Sequence, residues 1–156
     1  MPHFPAIPAY TPISPVRAYG EETAPAQTFI IGAAVYLDAN GLVAECPVDP
    51  ATILGFAQTN AGKNPLGLPY AGAASPAALS DLVAVAQGGT AFWMSCVNAP
   101  QASDVNKAFG ITKGADGIWQ VDQTKVVNTR VFVEYVDLDR NLELVTVLQS
   151  NRQAAP

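Results

Sequence analysis

The sequence predicts an all-β protein, a small β-barrel or sandwich with one short helix and an extended, proline-rich N-terminal arm. Three observations lead to this prediction. Short apolar runs rich in β-branched and aromatic residues alternate with turn residues such as Gly, Asn and Asp. Patterns with a helical period are sparse. Six of the thirteen prolines fall within the first 28 residues, and each proline fixes φ and removes a hydrogen-bond donor.

Residues 1–28 are interpreted as an arm that lies on a partner protein. Single large apolar residues stand between its prolines about every three positions, which is the repeat of a polyproline helix. We expect these residues to fill a groove on the partner, and no strand is predicted among them. They are Phe4, Ile7, Tyr10, Ile13, Val16 and Tyr19. A disordered tail is the alternative that the residues leave open.

Residues 29–149 are predicted to form one β-domain, followed by a short C-terminal tail at 150–156. Strands are expected at 28–37, 42–45, 53–58, 82–87, 90–97, 130–137 and 142–149. Turns are expected at Asn40-Gly41, where Asn-Gly favours a tight hairpin, at 88–89 and at 139–141. Seven short strands separated by turns are typical of a barrel or sandwich.

The strand patterns also predict which side chains form the core. In the strand 130–137, alternation places Val131, Val133 and Tyr135 on one face. Trp119 is expected in a further short strand, buried as an anchor of the domain. The residues predicted to be buried in the main strands are Phe29, Ile31, Val35, Leu54, Val83, Val85, Phe92, Val131, Val133 and Val145.

Helix is expected in only two places, and one long loop stands out. Residues 103–109 begin with a capping serine and are followed by glycine, which predicts a short helix of two turns. Ser75-Pro76 is typical of the start of a single turn. Residues 59–80 form a loop rich in Gly, Ala and Pro, and loops this long are usually functional or disordered. We interpret it as a second contact surface whose apolar residues are Leu66, Leu68 and Tyr70.

Composition excludes several functional classes. Charged residues make up only 13% of the chain, and the net charge is -5. A weakly charged surface is typical of a protein that binds other subunits, since interface cores are depleted of charge. Scattered basic residues and a negative net charge argue against nucleic-acid binding. No apolar run is long enough to span a membrane, and the N-terminus does not resemble a secretion signal.

No catalytic or cofactor-binding constellation is predicted. His3 is the only histidine, and it lies in the arm, so a Ser-His or Cys-His pair within the domain is not expected. Gly62-Lys63 lacks the first glycine and the Ser/Thr of a phosphate-binding loop. Asp104, Asp116 and Asp122 are expected to serve caps and turns.

Metal binding is not predicted either. Oxygen-bearing residues alternate from Asp137 to Glu143, as at the start of a calcium loop, but Leu142 replaces the required glycine and Leu148 the final glutamate. Cys46 and Cys96 lie among apolar residues and do not form a CxxC pair. We expect two buried thiols, with a disulfide as the alternative.

Five segments of the chain resemble the small head-decoration, or cement, proteins of tailed bacteriophages. The segments are GAAVYLDANGLVAE, ILGFAQ, LVAVAQGGTAFWMS, SDVNKAFGITKGADGIWQVDQT and RVFVEYVD, within residues 28–140. The most recognisable stretch comprises Phe109, Gly110, Ile111, Thr112, Lys113, Gly117, Ile118, Trp119 and Val121. The proline-rich arm is less typical of the family.

The resemblance implies a compact β-barrel that binds the outer surface of a phage capsid and stabilises its lattice, without enzymatic activity or cofactor. The implied partners are the major capsid protein and neighbouring copies of the chain, as a dimer or trimer. Its implied location is the virion, after synthesis in the host cytoplasm. Two alternatives stay open: another virion component, such as a minor capsid, head-fibre base or tail protein, and a ligand-binding barrel or enzyme with an unrecognised site.

Overall fold

The computed structural model describes residues 3, 5–10, 16–19, 27–61, 81–87 and 89–153. The described residues form eleven strands and two short 3-10 helices. The strands are β1 (Ile7–Tyr10), β2 (Val16–Tyr19), β3 (Ala34–Leu37), β4 (Val43–Glu45), β5 (Gly55–Ala57), β6 (Asp81–Val85), β7 (Ala91–Cys96), β8 (Ala108–Lys113), β9 (Trp119–Asp122), β10 (Val131–Asp137) and β11 (Leu142–Val147). The 3-10 helices are Ala102–Asp104 and Gln149–Asn151. The all-β prediction is confirmed.

Five strands close into a barrel in the order β7-β11-β10-β8-β9. The neighbours are antiparallel, except that β9 returns to β7 in parallel through the pairs Ser95↔Gln120 and Cys96↔Val121. Closure removes most of the unpaired edge that an open sheet would present. β1 pairs with the remaining edge of β7, outside the closed ring.

The second sheet has the order β2-β6-β5-β3-β4, and it packs against the barrel through β5 and β4. The Phe56 ring of β5 lies 4.6 Å from the Phe92 ring of β7, measured between centroids. Glu45, at the end of β4, accepts hydrogen bonds from Trp119 Nε1 at 2.9 Å and Lys113 Nζ at 2.8 Å. This contact joins the two sheets through one core.

Nine of the ten residues predicted as core are buried, from Phe29 at 2% exposure to Val35 and Phe92 at 0%. Ile31 is the exception, with 42% of its surface exposed. The predicted strand 28–37 is interrupted there, because the chain turns at Gly32, whose φ is +85°, and β3 starts only at Ala34. The prediction for Ile31 is therefore wrong. Trp119 is 1% exposed, as predicted.

The prediction that Tyr135 shares one face with Val131 and Val133 is also wrong. The register of β10 against β11 shifts between Val133 and Tyr135, which is a β-bulge, and one extra residue reverses the alternation beyond it. Val136 is buried as a result, and Tyr135 is 58% exposed. The hairpin closed at 139–141 and the Asn40-Gly41 hairpin between β3 and β4 are confirmed.

The helix predicted over 103–109 is a further correction. Only Ala102–Asp104 form a 3-10 helix, and Asn106 takes a φ of +64°, which ends any helical run. β8 then begins at Ala108 and pairs with β9 and β10. The Asp104 side chain accepts a hydrogen bond from the Gln101 backbone at 2.7 Å, so it serves a cap, as expected. The turn predicted at Ser75-Pro76 lies outside the described residues.

The arm contains two strands that the sequence did not predict. β1 pairs with β7 and β2 pairs with β6, both antiparallel and both within the same chain. The expectation of a polyproline conformation without ladder pairing is wrong for these eight residues. Proline is tolerated in edge strands, where its missing N–H faces away from the ladder, so the proline spacing does not distinguish the two structures.

Candidate partner-binding surfaces

The residues predicted to bind a partner fall into two groups in the structure. Ile7 and Tyr10 belong to β1, and Val16 and Tyr19 to β2, where their backbones pair with strands of their own chain. The other predicted contacts lie outside the described residues: Phe4, Ile13, Leu66, Leu68 and Tyr70. Their role in binding stays a prediction.

The start of the arm is held in a slot between the barrel and the loop before β3. His3 Nδ1 lies 2.7 Å from the Asp116 carboxylate in the turn between β8 and β9, and this hydrogen bond lowers the pKa of Asp116. Pro5 passes over Gly32, where any side chain would overlap the proline. Ala6 has no exposed surface. The arm is therefore packed onto its own domain at its first described residues.

Three strongly exposed valines form a second candidate surface, here called the valine patch. Val126 and Val127 are 68% and 76% exposed in the loop between β9 and β10, and Val48 is 72% exposed in the loop after β4. The two loops are joined beside these residues, because Lys125 Nζ lies 2.6 Å from Asp49 Oδ1. Exposed apolar side chains that are held on neighbouring loops can form a protein interface.

The loop that carries Val126 and Val127 is fixed by several contacts. The Lys125 carbonyl accepts a hydrogen bond from the Gly110 backbone at 2.9 Å. The Lys125 side chain covers Gly110 so closely that a Cβ there would lie 2.7 Å from it. Thr124 donates to the Asp122 carboxylate at 2.6 Å through its hydroxyl. A loop held in this way loses little conformational entropy when a partner binds.

An apolar row crosses the outer face of the barrel. Tyr135 of β10, Leu144 of β11 and Trp93 of β7 are consecutive cross-strand partners. The Trp93 and Tyr135 rings meet edge to face with centroids 6.1 Å apart. Trp93 and Leu144 are half-buried, whereas Tyr135 is 58% exposed. The register continues to Ile7 of β1, so the arm adds a fourth strand to this face.

Several ionisable groups lie around Glu143 of the barrel. Glu143 of β11 points inward and has no exposed surface. One of its oxygens accepts a hydrogen bond from Gln123 at 3.3 Å, and Oε2 has no hydrogen-bond partner among the described residues. Burial raises the pKa of Glu143 to about 7, with a further contribution from the charge of Asp104. Hydrogen bonds from Gln123 and Cys96 act in the opposite direction.

The position of Glu143 bears on the calcium-like pattern from Asp137 to Glu143. Glu143 is sealed inside the barrel, whereas Asp139 is exposed at the hairpin tip, so the alternating residues do not converge. No group of three or more His, Cys, Asp or Glu side chains in the described part of the chain has a metal-binding arrangement. Among the same residues, no helix is long and apolar enough to cross a membrane.

The two cysteines are free and buried, as predicted. Burial raises the pKa of the Cys46 thiol, and the neighbouring Glu45 charge adds to the effect. Burial is also the main cause of the raised pKa of Cys96, followed by the charge of Glu143. The thiolate is the reactive form of cysteine, so burial and the raised pKa both lower the reactivity of these thiols in the folded protein.

Sequence reasoning missed both the valine patch and the apolar row. The adjacent Val126 and Val127 between Lys125 and Asn128 were a signal, because two β-branched apolar residues in a turn region are unusual. Comparison of the chain with protein-family models, with curated proteins and with solved structures found no match. The resemblance to phage decoration proteins therefore stays a prediction from the sequence.

Proposed function

We propose that this chain is a structural protein without enzymatic activity that binds the outer surface of a phage capsid and stabilises its lattice. The observation that carries the proposal is the valine patch, three apolar side chains held outward by loops that the Lys125–Asp49 ion pair joins. Burial of such side chains favours association by about 1.5–3 kcal/mol for each one fully removed from water.

The low charge of the chain supports the same function. Only 13% of its residues are charged, so few charged groups lose their hydration when a partner covers the surface, and the desolvation penalty of binding is small. The apolar row of Tyr135, Leu144 and Trp93 provides a second surface enriched in aromatic residues, which are common in interface cores. Two separate apolar surfaces suit a subunit that contacts both a capsid protein and a neighbouring copy of itself.

The position of the ionisable groups also supports a structural function. Glu143 and Cys96 lie inside the packed barrel. Both side chains interact with Gln123. A catalytic acid or nucleophile must reach its substrate within hydrogen-bond distance. The resemblance within residues 28–140 then directs the proposal to a capsid and not to another assembly.

The experiment that tests this function images phage particles made with and without the protein. We expect regular additional density on the outer capsid surface only when the protein is present, and particles without it should release their DNA at a lower temperature. Density confined to a tail, a neck or the capsid interior would replace the proposal with another virion role. Particles with no density for the protein would overturn it.

A further inference from the structure

One edge of β7 is divided between two partners. Ser95 and Cys96 pair with β9 and close the barrel, whereas Ala91–Trp93 pair with β1. Without β1, the backbone groups of Ala91–Trp93 would form an unpaired edge, which readily accepts a strand from another chain. The barrel itself closes without any contribution from the arm.

The edge of β7 continues into a slot shaped for the residues that precede β1. Gly32 lies directly beneath Pro5, and a side chain there would overlap the proline ring. Ala6 is fully buried in the core, and Asp116 receives His3 at 2.7 Å. The slot thus recognises a short segment by backbone pairing, by one glycine and by one carboxylate. None of these features requires the segment to come from the same chain.

The ladder between β7 and β1 is short and irregular. It spans Ala91–Trp93 of β7, and its register shifts between Pro8 and Tyr10. Exchange of an identical element between copies is a low-cost route to association, because every contact is remade in the second copy.

We propose that residues 3–10 of one copy occupy the slot of a second copy, so that neighbouring copies are joined by exchanged arms. This inference rests on the proposed function, because an assembly that places copies side by side favours the exchange. In dilute solution the chain's own arm occupies the slot, because its effective concentration there is in the millimolar range. As the concentration of a second copy approaches this value, in solution or in an assembly, the arm of that copy competes for the slot.

Disulfide trapping in the full chain tests the exchange. His3→Cys is placed in one batch of protein and Asp116→Cys in another, with tags of different mass, and the two are mixed at rising concentration and oxidised. Cys46 and Cys96 are buried in the folded chain, so the introduced cysteines at positions 3 and 116 are the accessible ones. The control pairs His3→Cys with Val127→Cys. Val127 lies outside the slot and is 76% exposed, more than the 45% of the Asp116 side chain, so accessibility alone would favour the control.

We expect the mixed disulfide between His3→Cys and Asp116→Cys to grow with concentration and to exceed the control pair by at least about tenfold. A mixed disulfide no more abundant than in the control at every concentration would overturn the exchange. A double variant with both cysteines should then form only the disulfide within one chain. That result would leave capsid binding to be decided by imaging, so the two proposals fail separately.

A pair of glycine variants tests whether the slot itself accepts the foreign arm. Gly32→Ala, added to the Asp116→Cys chain, should abolish the mixed disulfide, because the new methyl group overlaps Pro5. Gly41→Ala is the matched control: its φ of +78° is as unfavourable for alanine as that of Gly32, but nothing lies within 4 Å of the added Cβ. Equal loss of the mixed disulfide in both variants would contradict the role of the slot.

Discussion

Trp119 anchors the contact between the barrel and the second sheet. Its ring is 1% exposed, and its Nε1 donates to Glu45 across the two sheets at 2.9 Å. We expect Trp119→Ala to lower the free energy of unfolding by about 3–5 kcal/mol, the usual cost of a large aromatic cavity. Trp119→Phe should cost less, because it keeps most of the apolar volume, although it loses the hydrogen bond to Glu45. Denaturant unfolding measures both.

Trp93 provides the control for this prediction, since it is the other of the two tryptophans. It lies half-buried on the outer face of the barrel beside Tyr135. Trp93→Ala should therefore destabilise the protein much less than Trp119→Ala. If the two alanine variants unfold at the same denaturant concentration, Trp119 does not have the anchoring role assigned to it.

Glu143 should make the stability of the protein depend on pH. Burial raises its pKa from an ordinary value of 4.5 to about 7, so the folded state retains a proton that the unfolded state has released. The contribution of Glu143 to stability is complete below pH 4.5 and is lost as the pH rises to about 7. The loss amounts to about 3 kcal/mol for a shift of this size.

The Glu143→Gln variant isolates this effect from the other carboxyl groups. Glutamine keeps the shape of the side chain and does not titrate, so the difference in unfolding free energy between the variant and the original protein should change by about 3 kcal/mol between pH 4.5 and 7. Unfolding curves recorded at several pH values give this difference. A constant difference over the range would show that Glu143 titrates normally.

At the scale of elements, the sequence predicts most strands and fails where a distant partner decides the structure. The residues 103–109 have the local signals of a helix, but Phe109 pairs with Val131 of β10 and the pairing of β8 with β9 overrides those signals. The bulge before Tyr135 has no local signal, because it depends on the register between β10 and β11. Proline spacing in the arm fits an edge strand as well as a polyproline helix.

The arm should contribute to stability without being required for the fold. A chain that lacks residues 1–19 loses β1, β2 and the buried Ala6, but all five strands that close the barrel remain. We expect a folded protein whose free energy of unfolding is lower by roughly 2 kcal/mol. Each lost backbone hydrogen bond contributes about 1 kcal/mol, but the shorter chain loses less conformational entropy on folding, and this offsets part of the loss. Circular dichroism with denaturant titration measures this.

Self-association of the truncated chain follows from the same geometry. Removal of β1 exposes the edge of β7 at Ala91–Trp93, and unpaired edges promote strand pairing between molecules. The truncated protein should therefore form larger species at lower concentration than the full chain, as sedimentation velocity reports. A truncated chain that is unfolded would contradict the independence of the barrel from the arm.

At the scale of the molecule, composition predicts an all-β subunit with a surface suited to partners, but not where that surface lies. The valine patch depends on an ion pair between Asp49 and Lys125, which are far apart in the sequence, and no local pattern reveals such a pair. Ile7, one of the predicted anchors of the arm, lies opposite Trp93 in the backbone register of β1 and β7, and its role in binding a partner stays a prediction. Contact surfaces of this kind arise from the tertiary structure.

Binding of the valine-patch variant to capsids tests the central claim most directly. Val126→Thr with Val127→Thr keeps the shape and β-branching of both side chains but makes them polar, whereas Val97→Thr makes the same change at a less exposed valine outside the patch. Each protein is titrated onto capsids that lack it, and the bound fraction is measured by sedimentation. At about 1 kcal/mol per valine, the double variant should bind roughly thirtyfold more weakly, and the Val97 variant should bind like the original protein. Equal binding by the double variant and the original protein would contradict the assignment of the valine patch as the capsid-binding surface.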